Sequence, residues 1–285
     1  MRTRNRRLAK TAALLPASVL ASLVLAAGSA LAAPATLDPD AAFGRPAFDE
    51  RFQRLDAGED QARPANPHRW RTVFGNGGAA APGNRTLGQA YFDGSALSVT
   101  PKGLVITATR KPSPFGKSWT SGLLTTKFSF SQPWGYFEAA MDIPVCDRGA
   151  WPAFWLIPVV GTWPVGGEVD APEAVGKGKL FWSLHSGANG KKSSDTTPWV
   201  PPGDPCARGV HRYGALVTRD TTSFYYDRRL VISKPTPSDF GQPFYMLIDL
   251  AMGGGWPGPP SPDLNQMQML VTRVAAWAPR GDRQP

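Results

Sequence analysis

The chain is poor in glutamate. Five occur in 285 residues, at positions 50, 59, 138, 168 and 173, and two inside one hexapeptide are therefore not a merely solvated charge run. Cysteine is scarcer, with only Cys146 and Cys206. Sustained helical periodicity, internal repeats and low-complexity domains are missing. Beyond the N-terminus no apolar stretch is long enough to cross a bilayer. Basic patches interleaved with aromatics are also missing, which argues against a nucleic-acid partner.

The formal charge of +9 comes largely from one end. Arg2, Arg4, Arg6, Arg7 and Lys10 precede an apolar run to Ala27 and then Ala30-Leu31-Ala32, the pattern of a secretory signal with its cleavage site; an uncleaved anchor is the alternative. Without those five, 26 basic residues face 22 acidic ones, a net of +4. That excess is ordinary surface charge, or at most attraction to an acidic polysaccharide.

Gly and Pro are abundant, at 30 and 29, which suits many strands joined by tight turns. Leu97 to Val99, Gly103 to Ala108, Ser121 to Phe130 and Gly135 to Ile143 alternate apolar and polar residues, as half-buried antiparallel strands do. Ser223 to Val231 reads as a hairpin turning at Asp227 and Arg228. Residues 1–32 are the signal, 33–46 a disordered lead-in rich in Ala and Pro, 47–279 one domain and 280–285 a tail. An even number of cysteines in an exported protein argues for a Cys146–Cys206 disulfide; two buried free thiols are the alternative.

The chemistry concentrates in Trp163 to Gly176, which places Glu168, Asp170 and Glu173 in an otherwise apolar segment. Side chains alternate along a strand, so Glu168 and Asp170 share a face while Glu173, at i+5, falls on the other. One inserted residue reverses this. Pro172, which has no N–H for a ladder, sits where such a bulge belongs. Paired carboxylates on one face are the equipment of glycoside hydrolysis. The alternative is the polar outer face of an edge strand, but neighbouring like charges repel.

This block resembles the bulged signature Glu-x-Asp-x-x-Glu of glycoside hydrolase family 16, and Gly149 to Pro158 is similar to the strand that family places before it. Phe48 to Phe52, Trp70 to Phe74, Asn84 to Asp93, Ser121 to Lys127, Tyr136 to Met141, Leu180 to Gly187, Val210 to Leu216, Pro243 to Gly258 and Gln268 to Trp277 resemble further family segments in the same order. The resemblance implies an all-β jelly-roll sandwich of two curved antiparallel sheets with a polymer cleft. It implies Glu168 as nucleophile, Asp170 as its electrostatic partner and Glu173 as acid/base. The charge of Asp170 is expected to discourage ionisation of Glu173.

Trp163 is the first candidate for a sugar platform, with Trp256 and Trp155 behind it; core packing is the alternative in a chain of ten Trp. Alternation puts His185 on the face of Ser183 and Gly187, and the resemblance turns it to the cleft. Glu138 and His211 read as structural. The family's Asn-Asn-Glu run before Gln89 is lacking, and Thr272 replaces an Asp that helps relatives hold calcium. Neither metal nor other cofactor is expected. The expected protein is an exported monomer with no membrane attachment after signal removal. Its expected activity is retaining, endo-acting cleavage of a β-linked glucan or exopolysaccharide. A transglycosylase and a non-catalytic carbohydrate-binding protein are the alternatives.

Overall fold

Period-two alternation becomes strand along most of the chain. The computed structural model describes residues 33, 35–59, 68–74 and 85–280; the expected signal, Asn84 and residues 281–285 of the tail lie outside the described residues. Among the described residues, one sheet has eleven strands and the other eight. Their strands pair antiparallel except where Ala57–Gly58 meets Trp70–Arg71 and Ala90–Phe92 meets Lys117–Ser121, and an isolated bridge from Gly88 to Met252 is also parallel. Phe137, Ala139 and Met141 of the Gly135–Asp142 strand, in the larger sheet, bury in the same core as Phe154, Leu156, Val169, Trp182 and Leu184 of the smaller. Each such large apolar side chain contributes about 1.5–3 kcal/mol when fully withdrawn from water. The fold is thus the expected jelly-roll sandwich, with its core between the sheets.

The smaller sheet carries the acids. Its strands lie in the order Ser193–Trp199, Leu180–Ser186, Glu168–Ala174, Ala150–Pro158, Phe244–Met252, Leu123–Thr125, Trp70–Arg71 and Ala57–Gly58. The edge strand Ser193–Trp199 goes beyond the sequence expectation. Its composition, Ser-Ser-Asp-Thr-Thr-Pro-Trp, has no alternation to signal a strand, and its mostly exposed polar side chains and Pro198 suit a protected edge.

The expected strand over Ser121 to Phe130 is divided. Lys117–Ser121 belongs to the larger sheet and Leu123–Thr125 to the smaller, so the chain changes sheets at Gly122. A Cβ there would lie 2.4 Å from Leu97 Cδ2 and 2.9 Å from Ile106 Cγ2. Only glycine fits that crossing.

The lead-in is also corrected. Within 35–46, Asp38 caps a short helix, Pro39–Phe43, by accepting from the Asp40 and Ala41 amides. Leu37 is buried, Thr36 bridges to Arg229, and Trp277 Nε1 donates to Asp40 Oδ1 at 2.9 Å. The Ala- and Pro-rich composition concealed a cap and one apolar anchor, which together order the segment against the closing strand, Gln266–Trp277.

The hairpin turns at Asp227 and Arg228, both with positive φ (48° and 62°), between Thr221–Tyr226 and Arg229–Pro235. Arg228 reaches back to grip Glu138 with two hydrogen bonds of 2.9 and 3.0 Å. His211 pairs with Asp227 at 2.8 Å. Both Glu138 and His211 belong to strands of the larger sheet, as structural residues do. Cys146 and Cys206 are joined by a disulfide with Cα atoms 5.3 Å apart.

Candidate active site

The bulge lies where the acids require it. Between Asp170 and Glu173 the acid strand advances three residues, while its neighbour advances two, from Ser183 to Phe181. On the other side, Trp155 and Ala153 face the same two acids with the same offset. Glu168 and Glu173 consequently line one pocket of about 400 Å³, while Val169 and Ala174 turn into the core. Alternation along Ala150–Pro158 builds the pocket floor, with Trp151, Ala153, Trp155 and Ile157 up and Phe154 and Leu156 down. Phe74 and Leu87 add apolar wall.

Each glutamate accepts an indole N–H. Trp151 Nε1 donates to Glu173 Oε1 at 2.8 Å, and Trp163 Nε1 donates to Glu168 Oε2. Asp170 is almost wholly buried beneath them, and Glu168 and Asp170 share a side-chain hydrogen bond. His185 stands directly across from Glu168. Its Nε2 is 3.1 Å from Asp170 Oδ2 and its Nδ1 is 2.7 Å from Ser194 Oγ. The ion-pair distance to Asp170 is short but off-axis, since Asp170 Oδ2 has no hydrogen-bond partner; we read the contact as electrostatic.

Sequence reasoning missed a fourth acid. Asp249 is fully buried, accepts Trp155 Nε1 at 2.9 Å and the Ala251 amide at 3.2 Å, and lies in a row with Ala153 and Glu173 across the sheet. The signal was available. Asp249 is an acid inside the otherwise apolar run Phe244–Met252, every residue of which is buried.

Burial raises all four carboxyls, because a charge withdrawn from water is costly. Glu168 is pushed up to about 8 by burial first and then by the charge of Asp170, against His185 and the Trp163 N–H, which lower it. Glu173 rises to about 7, again by burial first; the Trp151 N–H opposes this and the Glu168 charge adds to it. Asp249 reaches about 8 through burial, opposed by Trp155 and reinforced by Glu173. Asp170 is held well above the carboxylate range by burial and then by Glu173. Asp170 and Glu173 oppose one another's ionisation, an effect that falls on Asp170, which the charge of Glu173 raises; on Glu173 the neighbouring charge is that of Glu168.

The aromatic candidates all border the pocket, in different ways. Trp256 is 37% exposed and packs edge-on against Trp151 and Phe181. Trp155 is half-buried and holds Asp249. Trp163 is 41% exposed, but one face carries the Lys192 ammonium, 3.9 Å from the ring centroid, and His185 lies 6.0 Å away at a tilt. The cysteine pair is remote in role, tying loops rather than lining the pocket. At the family's calcium position, Thr272 donates its hydroxyl to the Ala140 carbonyl at 3.2 Å. A neutral hydroxyl thus stands where the resemblance puts a carboxylate.

A sandwich whose bulged strand sets two glutamates on one face of an aromatic-walled pocket defines a glycoside-hydrolase type of site. The profile of Glycosyl hydrolases family 16 matches residues 88–274, and the chain belongs to that family. It is 35% identical over 252 residues to endo-1,3-1,4-beta-glycanase EglC of Rhizobium meliloti (strain 1021), covering 81% of this chain and 51% of the relative. To endo-1,3-1,4-beta-glycanase ExsH of the same organism it is 42% identical over 141 residues, 49% of this chain and 29% of the relative. The chain thus spans about half, or less, of these relatives' length. The catalytic domain of the Thermotoga petrophila RKU-1 laminarinase superposes with a TM-score of 0.69 at 22% identity, over 83% of this chain and 98% of that one, a likeness of fold.

Proposed function

We propose that this protein is an exported, endo-acting β-glycanase that hydrolyses a β-linked glucan or exopolysaccharide with retention of configuration. The observation that carries the reading is the bulge between Asp170 and Glu173, which turns two glutamates five positions apart onto one pocket face. The names of the Rhizobium relatives, both endo-1,3-1,4-beta-glycanases, favour a β-glucan-like backbone.

In the first step the Glu168 carboxylate bonds to the anomeric carbon, the glycosidic C–O bond breaks, and the Glu173 proton passes to the leaving oxygen. In the second, water gives a proton to Glu173 and its oxygen to the anomeric carbon, releasing Glu168. The buried Asp170 shares a hydrogen bond with Glu168 that fixes the position of the nucleophile's carboxyl, while that bond and the charge of Asp170 raise Glu168. The N–H of Trp163 and the charge of His185 act in the opposite direction and favour the Glu168 carboxylate. Glu173, raised to about 7, is a proton donor matched to near-neutral pH.

Incubation with β-1,3-, β-1,4- and mixed-linkage glucans, galactans and bacterial exopolysaccharides, followed by product sizing, tests the reading. A ladder of shortened products that Glu168→Gln abolishes supports it. Products longer than the substrate indicate transglycosylation, and retention of intact polymer with no cleavage of any substrate overturns it in favour of a binding protein.

A further inference from the structure

We propose that Lys192 makes the pocket selective for acidic glycans, by reading a carboxylate or sulfate substituent on the sugar seated against Trp163. The inference rests on the glycanase reading and names its substrate class.

Trp163 is the most exposed aromatic of the pocket, and its N–H is committed to Glu168. A sugar stacking there needs a ring face. One face holds the Lys192 ammonium at 3.9 Å and the His185 ring lies 6.0 Å from its centroid. Lys192 is the movable obstacle. It is exposed, follows the short turn Ala188–Gly190, and has no carboxylate within ion-pair distance among the described residues. The nearby Asp195 is already engaged by Lys234, at 2.8 Å.

Seating a sugar on that face displaces the ammonium to the ring's edge. For a neutral glycan the cation–π contact is lost without return, weakening binding roughly two- to fivefold. An acidic substituent within reach of the displaced ammonium replaces that contact with an ion pair. The pocket's glutamates are each engaged by an indole N–H, from Trp151 and Trp163, and form no ion pair with Lys192 among the described residues. Selectivity then depends on Lys192 and is screened by salt.

The test compares one mixed-linkage β-glucan with its carboxymethylated form, using the wild type, Lys192→Met and Lys192→Arg. We expect wild-type KM to be lower for the acidic polymer at low ionic strength, with the preference fading in ~0.5 M salt. Lys192→Met should reverse it, lowering KM on the neutral polymer roughly two- to fivefold and raising it on the acidic one; Lys192→Arg should restore the wild-type order. An unchanged acidic-to-neutral ratio in Lys192→Met overturns the inference while leaving the glycanase reading intact. Affinity electrophoresis in gels containing either polymer reads the same ratio without turnover. If neither polymer is cleaved, the gel ratio still decides the role of Lys192, and the glycanase reading is decided by the wider panel of polysaccharides.

Discussion

Trp151 donates its indole N–H to Glu173 across the bulge, at 2.8 Å, and so holds the acid/base glutamate from the neighbouring strand. The bond favours the ionised form of Glu173 and opposes the larger effect of burial. Trp151→Phe keeps the ring against Trp256 and removes the donor. Hydrogen bonds to charged groups contribute about 1.5–3 kcal/mol, so the Glu173 carboxyl should rise about one pH unit or more above 7. A proton donor that holds its proton longer moves the basic limb of the kcat/KM profile upward. Measurement of that profile from pH 5 to 9 checks the shift.

Stability should carry the opposite mark of the same burial. A carboxyl whose folded value is raised stabilises fully below its unfolded value near 4.5 and loses that contribution as pH rises through about 7. Glu173→Gln keeps an oxygen for Trp151 and removes the titration. Its unfolding free energy should match the wild type near pH 4.5 and exceed it at pH 8.5, by up to about 3 kcal/mol. Urea unfolding at the two pH values decides this, and an equal difference at both contradicts it.

Asp239 organises the site from outside the pocket. Its Oδ2 accepts the Gly166 and Gly187 amides at 3.2 and 2.9 Å, and its Oδ1 accepts Ser186 Oγ at 2.6 Å. It thereby ties the loop presenting Trp163 to the end of the strand presenting His185. Asp239→Ala should lower kcat about tenfold or more with a smaller change in KM, because misplacement of a positioned group acts on the reacting geometry. Asp239→Asn, which can still accept the two amides, should recover most of the loss. Equal defects in both variants would speak against positioning.

The Cys146–Cys206 disulfide closes a loop across 60 residues of sequence. By the loop-length relation its removal in Cys146→Ser/Cys206→Ser costs ~4 kcal/mol of stability. Urea unfolding of the double variant measures it; reduction of the wild type should give a comparable loss.

Much of the site was legible because its residues break local rules. Three acids in an apolar strand, with Pro172 between the last two, imply a bulge from spacing alone, and the observed offset against Ser183 and Phe181 matches. His185 was legible as a face but not as a neighbour, since register with Glu168 depends on tertiary pairing. Asp249 was legible as an acid inside an apolar run but not as a member of the site, which shows only when the row through Ala153 and Glu173 is assembled. The Gly122 crossing was hidden for a related reason: alternation persists on both sides while the sheet changes. Order in 35–46 depends on Leu37 and Asp40 meeting a strand more than 200 residues later, which no local pattern records.

The central claim is that Glu168 attacks the anomeric carbon with Glu173 as acid/base. Proton NMR of the anomeric region, begun within seconds of adding enzyme to an oligosaccharide from the polymer it cleaves, tests this most directly. The account predicts that the first product signal is the β-anomer, with the α-anomer appearing only by mutarotation, and that Glu168→Gln gives no product. An α-anomer appearing first, or undiminished turnover in Glu168→Gln, would contradict it.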